Sequence, residues 1–181
     1  SGMDAAYGVK SAGGDTVYVT GSTFSSNFLS AVGQGYDRVH NGSCDGFILQ
    51  MRTSAGPILS GTYVGSTAYE QSYLLDTDLS GRVYITGITT GTMPVQPASV
   101  YHVPGGKHFV QRYDASLQLL ELSTTLGVSS LSGPSISPTA MLVDICSKIY
   151  VSGWGGSTNT SRNPFTSPMA QLPVTPDAFY G

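Results

Sequence analysis

Charged side chains are scarce in this chain. Lys, Arg, Asp and Glu make up 10% of its 181 residues, against about 25% in an average soluble domain. Only three residues are lysine and two are glutamate, whereas serine, threonine and glycine together occupy 66 positions. Because lysine and glutamate favour helices and those three residue types disfavour them, the composition excludes a helical bundle or a coiled coil.

Two further absences and the hydrophobic content narrow the class of protein. No apolar run approaches the roughly 18 residues that a membrane-spanning helix requires, so the sequence predicts no membrane span. The net charge of −3 provides no basic surface for nucleic acid. Hydrophobic residues nevertheless reach 40%, which is too many for a disordered chain. These features together predict an all-β fold with a neutral surface rich in hydroxyl groups.

Cysteine is also rare. Cys44 and Cys146 are too few for a disulfide scaffold, and they could form one bridge or remain two buried thiols. The first residues precede no apolar segment, so we expect any export signal to lie outside this sequence.

The sequence contains an internal repeat, in which one anchor segment recurs at equal spacing. The three copies are Val17-Tyr18-Val19-Thr20-Gly21, Val83-Tyr84-Ile85-Thr86-Gly87 and Ile149-Tyr150-Val151-Ser152-Gly153. Between the anchors, other landmarks recur in the same order. Asp45-Gly46-Phe47 is matched by Lys107-His108-Phe109, and Gly61-Thr62-Tyr63 is matched by Ser123-Thr124-Thr125. We place the repeats at about 13–78, 79–144 and 145–181, the third being incomplete.

The sequence of each repeat predicts four short strands. In the first repeat these are Val17–Gly21, Gly46–Thr53, Ile58–Val64 and Gln71–Thr77. A strand within residues 5–12 would bring the total to about ten. Alternation places the valines and isoleucines of the anchor on one face and its tyrosine on the other, as in a sheet packed between two neighbours. Four-stranded units at fixed spacing predict β-propeller blades, with unusually long connections at 22–44 and 88–106.

These motifs resemble the SBBP repeat of bacterial β-propellers. The resemblance rests on the VYVTG anchor, the Leu172-Pro173-Val174 element, the DGF strand and the Gly61-Thr62-Tyr63-Val64-Gly65 strand. The third unit, with Ile149–Gly156, looks like the version found in very large surface proteins of gliding bacteria. The resemblance implies an exported, cell-surface, gliding-motility-associated protein. Its motifs carry no chemistry of their own. Because an arc leaves its end sheets open, we expect the remaining blades of the parent chain or another copy to cover them, with another surface protein or a glycan as a further partner.

One turn suggests a metal site. Asp76, Asp78, Ser80 and Gly81 match the opening of a calcium loop, where oxygen ligands alternate before a glycine. The twelfth position is Gly87 instead of glutamate, and a hairpin turn explains the same residues. We otherwise expect no cofactor.

One insertion suggests a ligand site. The third repeat carries extra residues after its anchor, where Trp154 and Phe165 could form an aromatic platform for a sugar. Asn159, Arg162 and Asn163 would supply hydrogen bonds. A loop with Trp154 packed at a sheet edge is the alternative.

No arrangement of residues points to catalysis. The sequence lacks a G-x-S-x-G elbow and a recognisable cysteine nucleophile. Glu70 and Glu121 fall at strand edges and are expected to face solvent, and His40, His102 and His108 are expected to be solvated in or beside loops. We therefore expect a non-enzymatic partial propeller that acts as a scaffold or recognition module. A carbohydrate-binding or carbohydrate-active domain is the alternative.

Overall fold

Short, β-branched-rich segments separated by turn residues dictate a structure made of strands. A computed structural model describes residues 2–54, 56–129, 133–155, 172 and 174–177, and this part of the chain contains no α-helix. No segment in it is a helix able to cross a bilayer. It has ten strands: β1 Asp4–Ser11, β2 Thr16–Thr23, β3 Asp45–Arg52, β4 Ile58–Val64, β5 Glu70–Thr77, β6 Val83–Thr89, β7 His108–Tyr113, β8 Leu120–Leu126, β9 Ile136–Val143 and β10 Ile149–Gly155. The all-β prediction is confirmed.

The strands form three antiparallel sheets. Sheet 1 has the order β1-β2-β3-β4, sheet 2 has the order β5-β6-β7-β8, and sheet 3 pairs β9 with β10. The repeat boundaries at 78 and 144 fall in the β5–β6 and β9–β10 hairpins, so sheets 2 and 3 each take their first strand from one repeat and any further strands from the next. In sheet 1, β1 precedes the first repeat. Within the described residues, the three sheets do not close into a ring.

The repeat governs strand register. Val17 lies opposite Ser11, Val83 opposite Thr77 and Ile149 opposite Val143, which are equivalent pairs in the three hairpins. Each first strand also carries an irregularity at the same position, between Ala6 and Gly8 in β1 and between the matching residues of β5 and β9. The anchors therefore occupy equivalent places in their sheets.

The threonine and glycine of the anchor have defined structural roles. Thr20 Oγ1 donates to the Phe47 carbonyl at 2.7 Å, and Thr86 Oγ1 donates to the Phe109 carbonyl at 2.9 Å. A Cβ on Gly21 would lie 2.0 Å from the Ala5 carbonyl oxygen, and the matching distance for Gly87 is also 2.0 Å, to the Gln71 oxygen. Only glycine therefore fits where the bulged first strand approaches the anchor.

The anchor tyrosine caps its own hairpin. Tyr84 donates its hydroxyl hydrogen to Asp78 at 3.0 Å, and Tyr150 donates to Asp144 at 3.1 Å. In the β1–β2 hairpin Ala12 stands at the aspartate position, and the Tyr18 hydroxyl donates instead to the Ala115 carbonyl, in the β7–β8 turn of sheet 2, at 2.7 Å. One substitution thus converts a bond within a hairpin into a bond between sheets.

Two apolar clusters hold the sheets. The first joins sheets 1 and 2, because the Tyr18 face of sheet 1 packs on the Val83 face of sheet 2. Its members are Tyr18, Ile48, Val64, Val83, Ile85, Met93, Phe109, Tyr113, Leu117 and Leu120. The second covers the opposite face of sheet 1, where Leu29 and Val32 of the long connection pack on Phe47, Leu49 and Tyr63. The long connections therefore extend the core.

The two cysteines are not paired. Cys44 is buried and Cys146 is exposed, and both are free thiols. Burial raises the pKa of the Cys44 thiol. Of the two alternatives, the structure therefore shows free thiols, although only Cys44 is buried.

Candidate functional site

An apolar cavity lies between sheets 2 and 3, and its volume is about 640 Å³. One wall comes from sheet 2 and its edge, and the other comes from sheet 3 and the segment around residue 174. The lining residues are Thr86, Tyr101, His108, Val110, Leu126, Gly127, Ile136, Pro138, Val151, Leu172, Val174, Thr175 and Pro176. Since most of these side chains are aliphatic, the cavity suits an apolar occupant.

His108 is the distinctive polar group of this cavity. It is 4% exposed on β7, and its Nε2 accepts hydrogen bonds from the Ser135 amide at 3.1 Å and the Ile136 amide at 3.2 Å. Two donors at Nε2 place the proton of the neutral ring on Nδ1. Burial lowers the pKa of His108 to about 4, so the ring is neutral at physiological pH.

The Nδ1 atom of His108 is buried and has no hydrogen-bond partner within the described part of the chain. A buried donor without a partner is unfavourable, so an occupant of the cavity that places an oxygen acceptor beside the Nδ1–H group of His108 would be stabilised. The sequence-based expectation of a solvated loop histidine was wrong for His108. The residue is buried because residues 135 and 136, at the start of β9 in sheet 3, pack onto it.

The other two histidines contact different groups. His40 Nε2 lies 3.2 Å from the Thr23 carbonyl oxygen, and the His40 ring packs edge-on against Tyr63. His102 Nδ1 lies 3.2 Å from the Val100 carbonyl oxygen. These contacts involve backbone and aromatic groups, and neither histidine lines the cavity.

The predicted ligand residues are only partly described. Trp154 lies on β10 opposite Ser137 and is 43% exposed. Strand alternation places it on the same face as the exposed Tyr150 and on the face opposite Val151, so it does not line the cavity. Asn159, Arg162, Asn163 and Phe165 lie outside the described residues. The aromatic platform stays a prediction.

The predicted calcium residues have protein donors around their oxygens. Asp78 Oδ1 accepts from the amides of Ser80 and Arg82, and its Oδ2 accepts from Tyr84 and from Arg82 Nε at 2.7 Å. These hydrogen bonds hold the pKa of Asp78 below its usual value despite its burial. Ser80 contributes its backbone amide.

Asp76 makes separate contacts, with Lys10 Nζ at 2.7 Å and the Val143 amide at 2.7 Å. Within the described ranges, no group of three or more His, Cys, Asp or Glu side chains is placed to hold a metal ion. Calcium binding stays a prediction.

A buried carboxylate pair was missed by the sequence analysis. Glu70 and Asp45 are both fully buried, and a Cβ on Gly65 would lie 2.9 Å from Glu70 Oε2 and 3.1 Å from Asp45 Oδ1. Glu70 accepts hydrogen bonds from the Ser66 amide, the Ser66 hydroxyl and the Thr89 hydroxyl. The prediction that Glu70 faces solvent was therefore wrong.

The two carboxylates differ in their surroundings. Asp45 accepts hydrogen bonds from the amides of Asn41 and Gly42, but burial and the nearby Glu70 raise its pKa. The internal repeat offered a signal for this pair, since Glu70 matches Asp4, which likewise accepts from a threonine hydroxyl, that of Thr23. Full burial closes the pair to a substrate, and its hydrogen bonds hold the segments around Asn41 and Ser66 in place. Glu121, the other glutamate, is half-buried and forms an ion pair with Arg112 at 2.9 Å.

Comparison with known proteins assigns no family to these features. No protein-family model matches the chain, and no curated protein matches its sequence significantly.

Proposed function

We propose that this chain is a non-enzymatic structural module, an arc of β-propeller blades from a large exported cell-surface protein. The observation that carries the proposal is the recurrence of strand register, bulge and anchor contacts in successive sheets, one set for each repeat. Such recurrence is typical of proteins in which each repeat contacts its neighbours and stability comes from stacking. The resemblance to the SBBP repeat and the scarcity of charge support the assignment to exported surface proteins.

A repeat-insertion series tests the architecture. One, two and three additional copies of residues 70–135 would be inserted after residue 135, where the repeat register is preserved, and the radius of gyration measured by X-ray scattering. An arc of blades predicts a curved particle whose radius of gyration grows less than that of a straight stack, until a ring of four to eight blades closes, about the number in known propellers. Copies of scrambled sequence provide the control.

Two outcomes would contradict the arc. Linear growth of the particle would indicate a straight stack of sheets, and loss of cooperative unfolding would show that the repeat is not a structural unit. Surface location is tested separately, by protease accessibility of the full-length protein on intact cells.

Carbohydrate binding is the second candidate, and one observation favours it. Trp154 and Tyr150 are both about half exposed on the same face of sheet 3, where aromatic rings could stack on a sugar. Titration with surface polysaccharides would show binding that Trp154→Ala abolishes and that Tyr101→Ala, on another part of the surface, leaves intact. Absence of binding to any glycan would remove this candidate.

A further inference from the structure

The cavity occupies the position of an inter-sheet core. Its sheet 2 wall contains Thr86, Val110 and Leu126, which match Thr20, Ile48 and Val64 of sheet 1 in the repeat. Its sheet 3 wall contains Val151, which matches Ile85 of sheet 2. Ile48, Val64 and Ile85 belong to the cluster that fills the space between sheets 1 and 2. The two inter-sheet spaces therefore have equivalent walls.

A strand fills this space in the first interface. Phe109 lies on β7 opposite Gly87, is fully buried, and belongs to the same cluster as Ile48 and Val64. Gln111 and Tyr113 follow on the same face of β7 and are also buried. Phe109 and Tyr113 of this strand thus contribute to the core between sheets 1 and 2, and Gln111 between them accepts a hydrogen bond from the Tyr113 hydroxyl.

The matching strand position beside β10 is open within the described ranges. The anchors β2 and β6 each pair on both edges, whereas β10 pairs only with β9. Leu172 and Val174 line the cavity, and they match Met93 and Val95 in the repeated connection, of which Met93 is part of the first core. The second space therefore keeps the equivalents of Met93 and Ile85, while no equivalent of Phe109 among the described residues lines it.

We propose that β10 accepts an added β-strand, an extended peptide segment whose chemistry matches that of β7. The segment pairs antiparallel with β10, places a phenylalanine opposite Gly153, and inserts the residues at alternate positions into the cavity. Ser152 then donates to the carbonyl of that phenylalanine, as Thr20 and Thr86 do in their sheets. The inference rests on the repeat-module proposal, because the equivalence of the interfaces defines the register.

His108 adds a polar requirement to this site. It matches Gly46 of sheet 1, so the second interface carries an imidazole where the first has no side chain. Its Nδ1 is buried without a partner in the described part of the chain, in a wall that is otherwise mainly apolar. An oxygen acceptor of the added segment satisfies this donor, so binding shifts the His108 ring resonances.

Peptide binding to the intact 181-residue protein tests the inference. The probe is a fluorescently labelled peptide with the sequence of residues 107–113, Lys-His-Phe-Val-Gln-Arg-Tyr, and its control carries serine in place of phenylalanine. We expect saturable binding that the serine peptide weakens at least tenfold. Hydrogen exchange should show new protection within 149–155, and a ring resonance of His108 should shift.

Protein variants check the location of binding. Val151→Asp, in the cavity wall, should abolish binding, whereas Val39→Asp, at an exposed position outside the cavity, should not. Circular dichroism establishes that both variants fold. Equal binding of the two peptides, or protection located away from β10, would overturn the inference. Absence of binding would also overturn it while leaving the scattering test of the repeat module unaffected.

Discussion

Tyr84 and Asp78 are joined by a buried hydrogen bond across the β5–β6 hairpin, with the tyrosine hydroxyl donating to Asp78 Oδ2 at 3.0 Å. Tyr150 and Asp144 form the same bond one repeat later, but Tyr150 is about half exposed. The two pairs therefore provide one interaction in two environments.

Removal of the hydroxyl should have unequal effects at these positions. Tyr84→Phe should lower the free energy of unfolding by about 2 kcal/mol, because a hydrogen bond to a charged acceptor is lost inside the protein. Tyr150→Phe should change it by about 0.5 kcal/mol or less, because water replaces the partner. Urea denaturation monitored by circular dichroism measures both. Equal losses would contradict this environment-based explanation.

Gly87 should not tolerate a side chain. A Cβ at this position would lie 2.0 Å from the Gln71 carbonyl oxygen and 2.6 Å from the Phe109 ring, so Gly87→Ala should cost about 3 kcal/mol or prevent folding. Gly33→Ala is the matched control, since no atom lies within 4 Å of its added Cβ and its backbone is not left-handed. Thermal denaturation of the two variants distinguishes them, and equal melting temperatures would contradict the close approach of the strands.

His108 should make the protein less stable in acid. Its pKa is lowered to about 4 by burial, so the unfolded chain binds a proton between about pH 6.5 and 4 when the folded chain does not. The contribution of the neutral His108 ring to the free energy of unfolding is complete above pH 6.5 and is lost as the pH falls toward 4, a change of about 3 kcal/mol.

The comparison that isolates this effect is with His108→Gln, whose side-chain oxygen can accept from the Ser135 and Ile136 amides without titrating in this range. Unfolding free energies measured from pH 7 to 4 should fall more steeply for the native protein than for His108→Gln. His102→Gln serves as the control and should follow the native curve. Parallel curves for the native protein and His108→Gln would show that His108 does not titrate differently on folding.

Calcium should leave the melting temperature unchanged. Both oxygens of Asp78 already accept hydrogen bonds from Ser80, Arg82 and Tyr84, so a cation would have to displace an ion pair. Differential scanning fluorimetry with calcium and with chelator measures this directly, because a ligand of the folded state raises the melting temperature. A rise with calcium that Asp78→Asn removes would favour the calcium-loop interpretation over the hairpin-turn interpretation.

The strands and the repeat were predictable, because alternation of β-branched residues and a fixed period are local and additive signals. The burial of Glu70 was not, since it depends on how Ser66 and Thr89, from two separate segments, converge on its carboxylate. The environment of His108 depends similarly on the Ser135 and Ile136 amides at the start of β9, in the neighbouring sheet. The cavity arises from the relative placement of two sheets, for which a strand pattern carries no information.

The exchange of aspartate for alanine at residue 12 gives the repeats a fixed order. Tyr18 has no aspartate partner in its own hairpin, and its hydroxyl donates, together with the Gln50 amide, to the Ala115 carbonyl of sheet 2. The Tyr84 and Tyr150 hydroxyls donate to aspartates of their own hairpins instead. Repeats with the same backbone structure therefore cannot exchange positions along the chain without losing a contact. A shuffled chain with the second repeat placed first would retain every strand and lose this connection, so the polypeptide encodes the position of each copy as well as its shape.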